Sequence, residues 1–172
     1  MKYDVFGPFK LPRSNNGLFS RVASEKKAFW SSLDKVEQGL SEACGCYLIS
    51  ARNRVWYVGL AEKQTFRREC FAPHKVTKID DAIASAKGDA YLLLLARKTP
   101  QDRFMKPSKN GIKDAEQMEL LLIGAALERN DDLLNKQATK IVREAVVPGF
   151  LNSPKGCGND ARVRRFRQIM GI

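Results

Sequence analysis

Tyr47 and Tyr57 each stand beside a glycine in a short β-like run, Gly45-Cys46-Tyr47 and Tyr57-Val58-Gly59. Arg67 follows ten residues after Tyr57, Glu119 interrupts the apolar stretch 118–123, and Asn135 follows Leu133-Leu134. Two phenols, a guanidinium, a carboxylate and an amide are the groups needed to hydrolyse a phosphodiester. A phenol ordinarily loses its proton near pH ~10, but a neighbouring cation lowers that value and makes the phenolate a usable base. A guanidinium matches the charge that spreads over phosphoryl oxygens in the transition state. Spacing does not separate Arg67 from Arg68 in that role.

Glu119 is the most discriminating of the set. On a helix its neighbours at 115, 122, 123 and 126 are Ala, Leu, Ile and Ala, and a carboxylate in an apolar stripe is costly unless it is paired or holds a cation. Mg²⁺ suits a single protein carboxylate because it keeps several waters and takes phosphate oxygens. Glu116, one turn earlier, is the rival position. His74, the sole histidine, sits with Lys75 after Pro73 and could contact phosphate or relay a proton. Asn135 could anchor a loop through hydrogen bonds to backbone. A strand tyrosine or a helix arginine taken alone is ordinarily a packing or solvated residue, so the combination carries the chemistry.

These groups need a scaffold, and 172 residues suffice for one domain with a real core. The net charge of +11 points to a polyanionic partner. Eight of the 30 Lys/Arg fall from Lys136 onward against two acidic residues, with Arg162, Arg164, Arg165 and Arg167 on one predicted helix, and this reads as a nucleic-acid grip. The longest apolar run, 90–96, is too short to span a bilayer, and the first ten residues lack a secretory pattern, so a cytoplasmic protein without a membrane partner is expected. Cys44, Cys46, Cys70 and Cys157 make no disulfide framework in a chain of this length. Cys44 and Cys46 would share one strand face and read as buried reduced thiols.

Periodicity predicts a helix over 24–43 with Ser24 as N-cap, strands at 45–50 and 55–59, helices at 64–71 and 78–86, and a strand at 89–96 buried on both faces. A loop at 97–112, a helix at 113–129, an edge strand at 145–150 and a helix at 161–170 follow. Residues 1–20 read as a loose arm or short edge strand. A three-residue turn at 51–53 would pair Tyr47 directly with Tyr57 on one sheet face, whereas a two-residue turn would separate them. The class is α+β, a small, mainly antiparallel sheet flanked by helices.

Together these motifs resemble the GIY-YIG nuclease superfamily, over about residues 43–136. Gly45-Cys46-Tyr47 and Tyr57-Val58-Gly59 look like its two signatures, Arg67 like its arginine, Glu119-Leu-Leu-Leu-Ile123 like its glutamate helix, and Leu134-Asn135 like its terminal asparagine. The resemblance implies a three-stranded antiparallel core with N-terminal (1–42) and C-terminal (137–172) extensions within one domain spanning 1–172. It implies a divalent-metal-dependent endonuclease acting on DNA, RNA being the second candidate, with one Mg²⁺ or Mn²⁺ on Glu119. Tyr47 would accept the proton of the attacking water, Tyr57 would orient water or phosphate, and Arg67 would stabilise the pentavalent phosphorus. His74 and Asn135 complete the expected catalytic set, and Arg68 and Lys75 join the C-terminal arginines as nucleic-acid contacts. Cys46 stands where isoleucine is usual, and Phe71 stands four residues after the arginine, where many members carry His or Tyr; His74 is the nearest substitute. A catalytically inactive nucleic-acid-binding module of the same fold is the competing expectation. An RNA-associated structural protein whose tyrosines merely pack is the third.

Overall fold

Alternation of side chains along three apolar runs builds the centre of the molecule. In the computed structural model, which describes residues 1–135, 139–150 and 152–171, these runs are β2 (Gly45–Ala51), β3 (Arg54–Ala61) and β4 (Ala90–Lys98). A fourth strand, β1 (Lys2–Lys10), pairs along β4, giving an antiparallel sheet of order β1-β4-β2-β3. The sheet thus has four strands where three were expected. Of the loose arm or short edge strand expected within residues 1–20, the structure has the edge strand, nine residues long. Gly7-Pro8 is absorbed as a register shift between Phe6 and Phe9. An edge strand tolerates such a step because its outer side needs no ladder.

Along β4 every second residue is buried from Ala90 to Lys98, so only one face is fully covered, against the expectation of burial on both. The covered face carries Leu92 and Leu94 of β4, and Tyr47 and Ile49 of β2, packed under α1 (Ala23–Val36) and α3 (Pro73–Ala86). Between β3 and α3 lies the short α2 (Phe66–Glu69). α1 starts at Ala23 with Val22 at its cap, and no side chain fulfils the capping role expected of Ser24. It ends at Val36, short of residue 43, because Gly39 turns into the left-handed region (φ 81°) and starts a separate 3₁₀ turn, Leu40–Glu42. Pro73 occupies the first turn of α3, which suits its fixed φ and missing N–H, so this helix begins five residues before the predicted start.

The opposite face receives α4 (Lys113–Leu127), whose Ala115 carbonyl accepts from the Cys46 thiol at 3.4 Å. A partly buried cluster locks β1, β4 and α4 together. Arg97 Nε donates to Asp114 Oδ2 at 2.6 Å, and the Tyr3 hydroxyl donates to the same oxygen at 3.3 Å. Arg97 holds the Asp114 carboxyl below its ordinary value against the upward pull of burial. Cys44 and Cys46 are buried and unbridged; burial pushes the Cys46 thiol up to about 12, so both cysteines act as small apolar groups.

The chain divides into two units, Met1–Leu134 and Asn135–Ile172. Residues 1–42 are built into the first as a strand and a covering helix, not appended to it. Lys136, the last residue of the expected core, lies outside the described residues. The second unit contains α5 (Thr139–Glu144) and α6 (Ala161–Met170). Its segment 145–150 is a turn, with Phe150 N–H bonded to the Val147 carbonyl at 2.9 Å, and not the predicted strand. α6 is capped by Asp160, whose side chain accepts from Arg162 N at 2.7 Å.

Candidate active site at the edge of the sheet

The β2–β3 hairpin sets the two tyrosines. Its turn has two residues, Arg52 and Asn53, both at positive φ (49° and 58°), as a primed turn requires. By counting alone, such a turn sends the tyrosines to opposite faces. A β-bulge at Trp56 restores the parity: Ser50 pairs with Val55, but Ile49 pairs with Tyr57 and Tyr47 with Gly59. The predicted direct Tyr47–Tyr57 pair is therefore replaced by a diagonal one on a common face, ring centroids 6.1 Å apart. The turn length was misread, yet the shared face holds.

The glycines serve the protein itself. A Cβ at Gly59 would lie 2.2 Å from Cζ of Tyr47, so the Tyr47 ring fills the room that was expected to admit a ligand. Gly45 sits at φ 145°, and a Cβ there would lie 2.1 Å from the Leu95 carbonyl oxygen. It permits close approach of β2 to β4.

Tyr47 is fully buried, and its hydroxyl makes no hydrogen bond of good geometry among the described residues, the Tyr57 side chain being the polar group near it. Burial pushes the phenol well above its ordinary value of 10.0, with smaller contributions from Cys70, Tyr57 and Glu69. A buried unpaired hydroxyl costs about 1–3 kcal/mol. Tyr47→Phe is expected to leave the protein as stable or to stabilise it by about 1 kcal/mol; urea unfolding measures this, and a clear loss of stability would show that the hydroxyl is bonded.

Tyr57 has the charged partner. Lys75 Nζ donates to its hydroxyl oxygen at 2.9 Å, lies 5.4 Å from its ring centroid, and pairs with Glu69 Oε1 at 3.3 Å. Burial pulls the Lys75 ammonium down, but the Tyr57 hydroxyl and Glu69 carboxylate overcome this, and the net shift is upward. Lys75, expected only as a nucleic-acid contact, is thus the cation at the tyrosine.

Arg67, expected in that position, turns elsewhere: its guanidinium meets Asp34 Oδ2 at 3.2 Å and Glu42 Oε1 at 3.5 Å. Arg68 and His74 are exposed, and Arg68 makes no ion pair among the described residues. Phe71 joins an aromatic cluster with Phe19, Phe29 and Trp30, centroids 4.7–5.3 Å apart, so a core function replaces the polar residue of the resembled pattern.

Glu119 lies on α4, beside the buried stripe of Ala115, Ile123 and Ala126, and is half-buried. α4 packs on the face opposite the tyrosines, since Cys46 touches it and neighbouring Tyr47 points away. Glu119 therefore belongs to the helix on the other face of the sheet, and Lys75 is within its electrostatic reach. Burial raises the Glu119 carboxyl, Lys75 opposes the rise, and Glu62, Glu116 and Glu69 reinforce it. No ion pair holds it among the described residues. Glu116, its rival, is exposed.

A half-buried carboxylate with no ion pair among the described residues, and with Glu62 and Glu116 within electrostatic reach, could hold a hard divalent ion that completes its shell with water. No group of three His, Cys, Asp or Glu side chains arranged to hold a metal occurs among the described residues, so any ion here rests on one or two carboxylates.

Asn135 belongs to the second unit, where its carbonyl accepts from the Thr139 hydroxyl at 3.2 Å. The asparagine that anchors the edge strand is Asn130, 4 % exposed, donating from Nδ2 to the Val55 carbonyl at 2.8 Å. In the second unit, Arg162, Arg164, Arg165 and Arg167 are exposed on α6 while Val163 and Phe166 are half-buried, Phe166 meeting Phe150 edge-on at 6.5 Å. Arg162 pairs with Asp160 at 2.8 Å.

Sequence reasoning missed Glu69 and the pairing role of Lys75. They are six residues apart across the break between α2 and α3, where no helical spacing links them. Comparison with protein-family models, curated proteins and solved structures returns no match. Among the described residues no helix is long and apolar enough to cross a membrane.

Proposed function

We propose that the protein is a divalent-metal-dependent endonuclease that hydrolyses DNA phosphodiesters at the β3 edge. The observation that carries this reading is the Lys75–Tyr57 hydrogen bond beside an unpaired, half-buried Glu119. The mechanism requires Tyr57 as its phenolate, whose oxygen the Lys75 ammonium faces at 2.9 Å; Tyr57, and not the deeper Tyr47, is the proton acceptor. The water oxygen attacks phosphorus, its proton passes to Tyr57 Oη, and the bond from phosphorus to the leaving sugar oxygen breaks. Glu69 holds Lys75 in place, and the ammonium faces the charge that gathers on the phosphoryl oxygens. Mg²⁺ or Mn²⁺ on Glu119 would neutralise phosphate charge and assist the departing oxygen. Arg68 and His74, exposed next to this edge in sequence, would hold the backbone, and the α6 arginines of the second unit would add a basic surface of their own. The net charge of +11 supports a polyanionic substrate.

Supercoiled plasmid incubated with Mg²⁺ or Mn²⁺ is expected to be nicked, and EDTA to prevent it. Tyr57→Phe should slow nicking at least ~100-fold, the scale of a lost general base. Nicking that persists in EDTA, or equally in Tyr57→Phe, would overturn the reading. Arg67 held by Asp34 and Glu42 favours a second reading, a DNA-binding module that does not cut. That reading predicts salt-sensitive binding with no metal-dependent product.

A further inference from the structure

We propose that the open face of the sheet beside the β2–β3 turn binds single-stranded nucleic acid, a base stacking on Tyr91 while Arg52 and Arg54 hold the flanking phosphates. The proposal does not rest on the nuclease reading, and its site lies on the other face of the sheet from Tyr47 and Tyr57.

Strand pairing places Ser50 opposite both Tyr91 and Val55, and Leu93 opposite Leu48. α4 covers this face at its Cys46 end. At the other end a groove of about 740 Å³ remains, with Tyr91, Leu93 and Val55 on its floor and Arg52 and Arg54 at its rim. Tyr91 and Leu93 are each half-exposed, and the Tyr91 hydroxyl makes no hydrogen bond among the described residues. A flat aromatic ring flanked by aliphatic side chains is the usual seat of an unstacked base.

The rim supplies the charge. Arg54 is exposed and has no carboxylate partner among the described residues. Arg52 is exposed and is steadied by donating to the Lys87 carbonyl at 3.1 Å. The one acid lining the groove, Asp89, is already paired with Lys10 at 2.6 Å and Arg13 at 3.1 Å. The groove is therefore apolar below and positive around, which complements a base with phosphates on either side. A duplex keeps its bases stacked and cannot place one on Tyr91.

Fluorescence anisotropy in EDTA, with labelled oligothymidylate, oligouridylate and a duplex of equal length, tests this without cleavage. The single strands should bind more tightly than the duplex. Tyr91→Leu should weaken single-strand binding ~10-fold, within the range for one stacked base. Arg54→Ala should weaken it several-fold and flatten its salt dependence. Arg54 is exposed, so its variant stays informative even if Tyr91→Leu proves unstable. Because binding is read in EDTA with no product formed, this site is tested apart from the cleavage reading. Absence of single-strand binding, a preference for the duplex, or unchanged affinity in Tyr91→Leu or Arg54→Ala would overturn the proposal.

Discussion

Glu119→Gln is expected to lower metal-dependent nicking by on the order of 100- to 1000-fold, since a carboxylate-held ion contributes several kcal/mol to phosphoryl transfer. The same substitution should stabilise the fold at neutral pH. Burial raises the Glu119 carboxyl above its ordinary value of 4.5, so the folded chain holds this proton more tightly than the unfolded one. The resulting contribution to stability is complete below the unfolded value and is lost as pH rises through the raised folded value. At neutral pH the ionised group is a net cost that the neutral amide removes. Thermal melting at neutral and at acidic pH checks the sign: Gln should melt higher than Glu at pH 7, and the gap should close on acidification. Activity should rise with pH over the same window, because only the ionised carboxylate holds a cation. A variant that loses activity and stability together would place Glu119 in a structural pair instead.

Gly59→Ala should destabilise the hairpin strongly. Its Cβ would lie 2.2, 2.5 and 2.6 Å from three atoms of the Tyr47 ring, which is fully buried and cannot withdraw. Overpacking of this kind costs about 3 kcal/mol or more. Urea unfolding measures the loss, and Tyr47→Leu in the same chain should restore part of it, since the shorter side chain vacates the contested space. Strongly non-additive energies are the expected signature of atoms in direct contact. Additive energies would mean that Gly59 is needed for some other reason.

Much of the scaffold was legible because its signals are local. Alternation marked β2 and β3, four- and three-residue recurrence marked α4 and α6, and Pro73 marked a boundary. The misses are non-local. β1 is held by pairing with β4, which composition around Gly7-Pro8 could not decide between a loose arm and an edge strand. The four leucines of β4 suggested burial on both faces, but apolar residues are common on half-covered faces, and Leu93 and Leu95 lie there. The tyrosine pair was inferred from a turn of the wrong length, and the bulge at Trp56 supplied the parity that the turn did not. At the site, residue type was legible and partnership was not. Arg67 reads as the obvious cation, yet Asp34 and Glu42 take it, while Lys75 reaches Tyr57 from another helix.

The central claim is that the ion sits at the β3 edge, on Glu119 and within reach of Lys75. Mn²⁺ added to isotope-labelled protein broadens nuclear resonances close to where it binds. Broadening should centre on residues 119, 69 and 75, and Glu119→Gln should abolish it. Broadening centred elsewhere, or unchanged in that variant, would contradict the placement of the metal and with it the proposed chemistry.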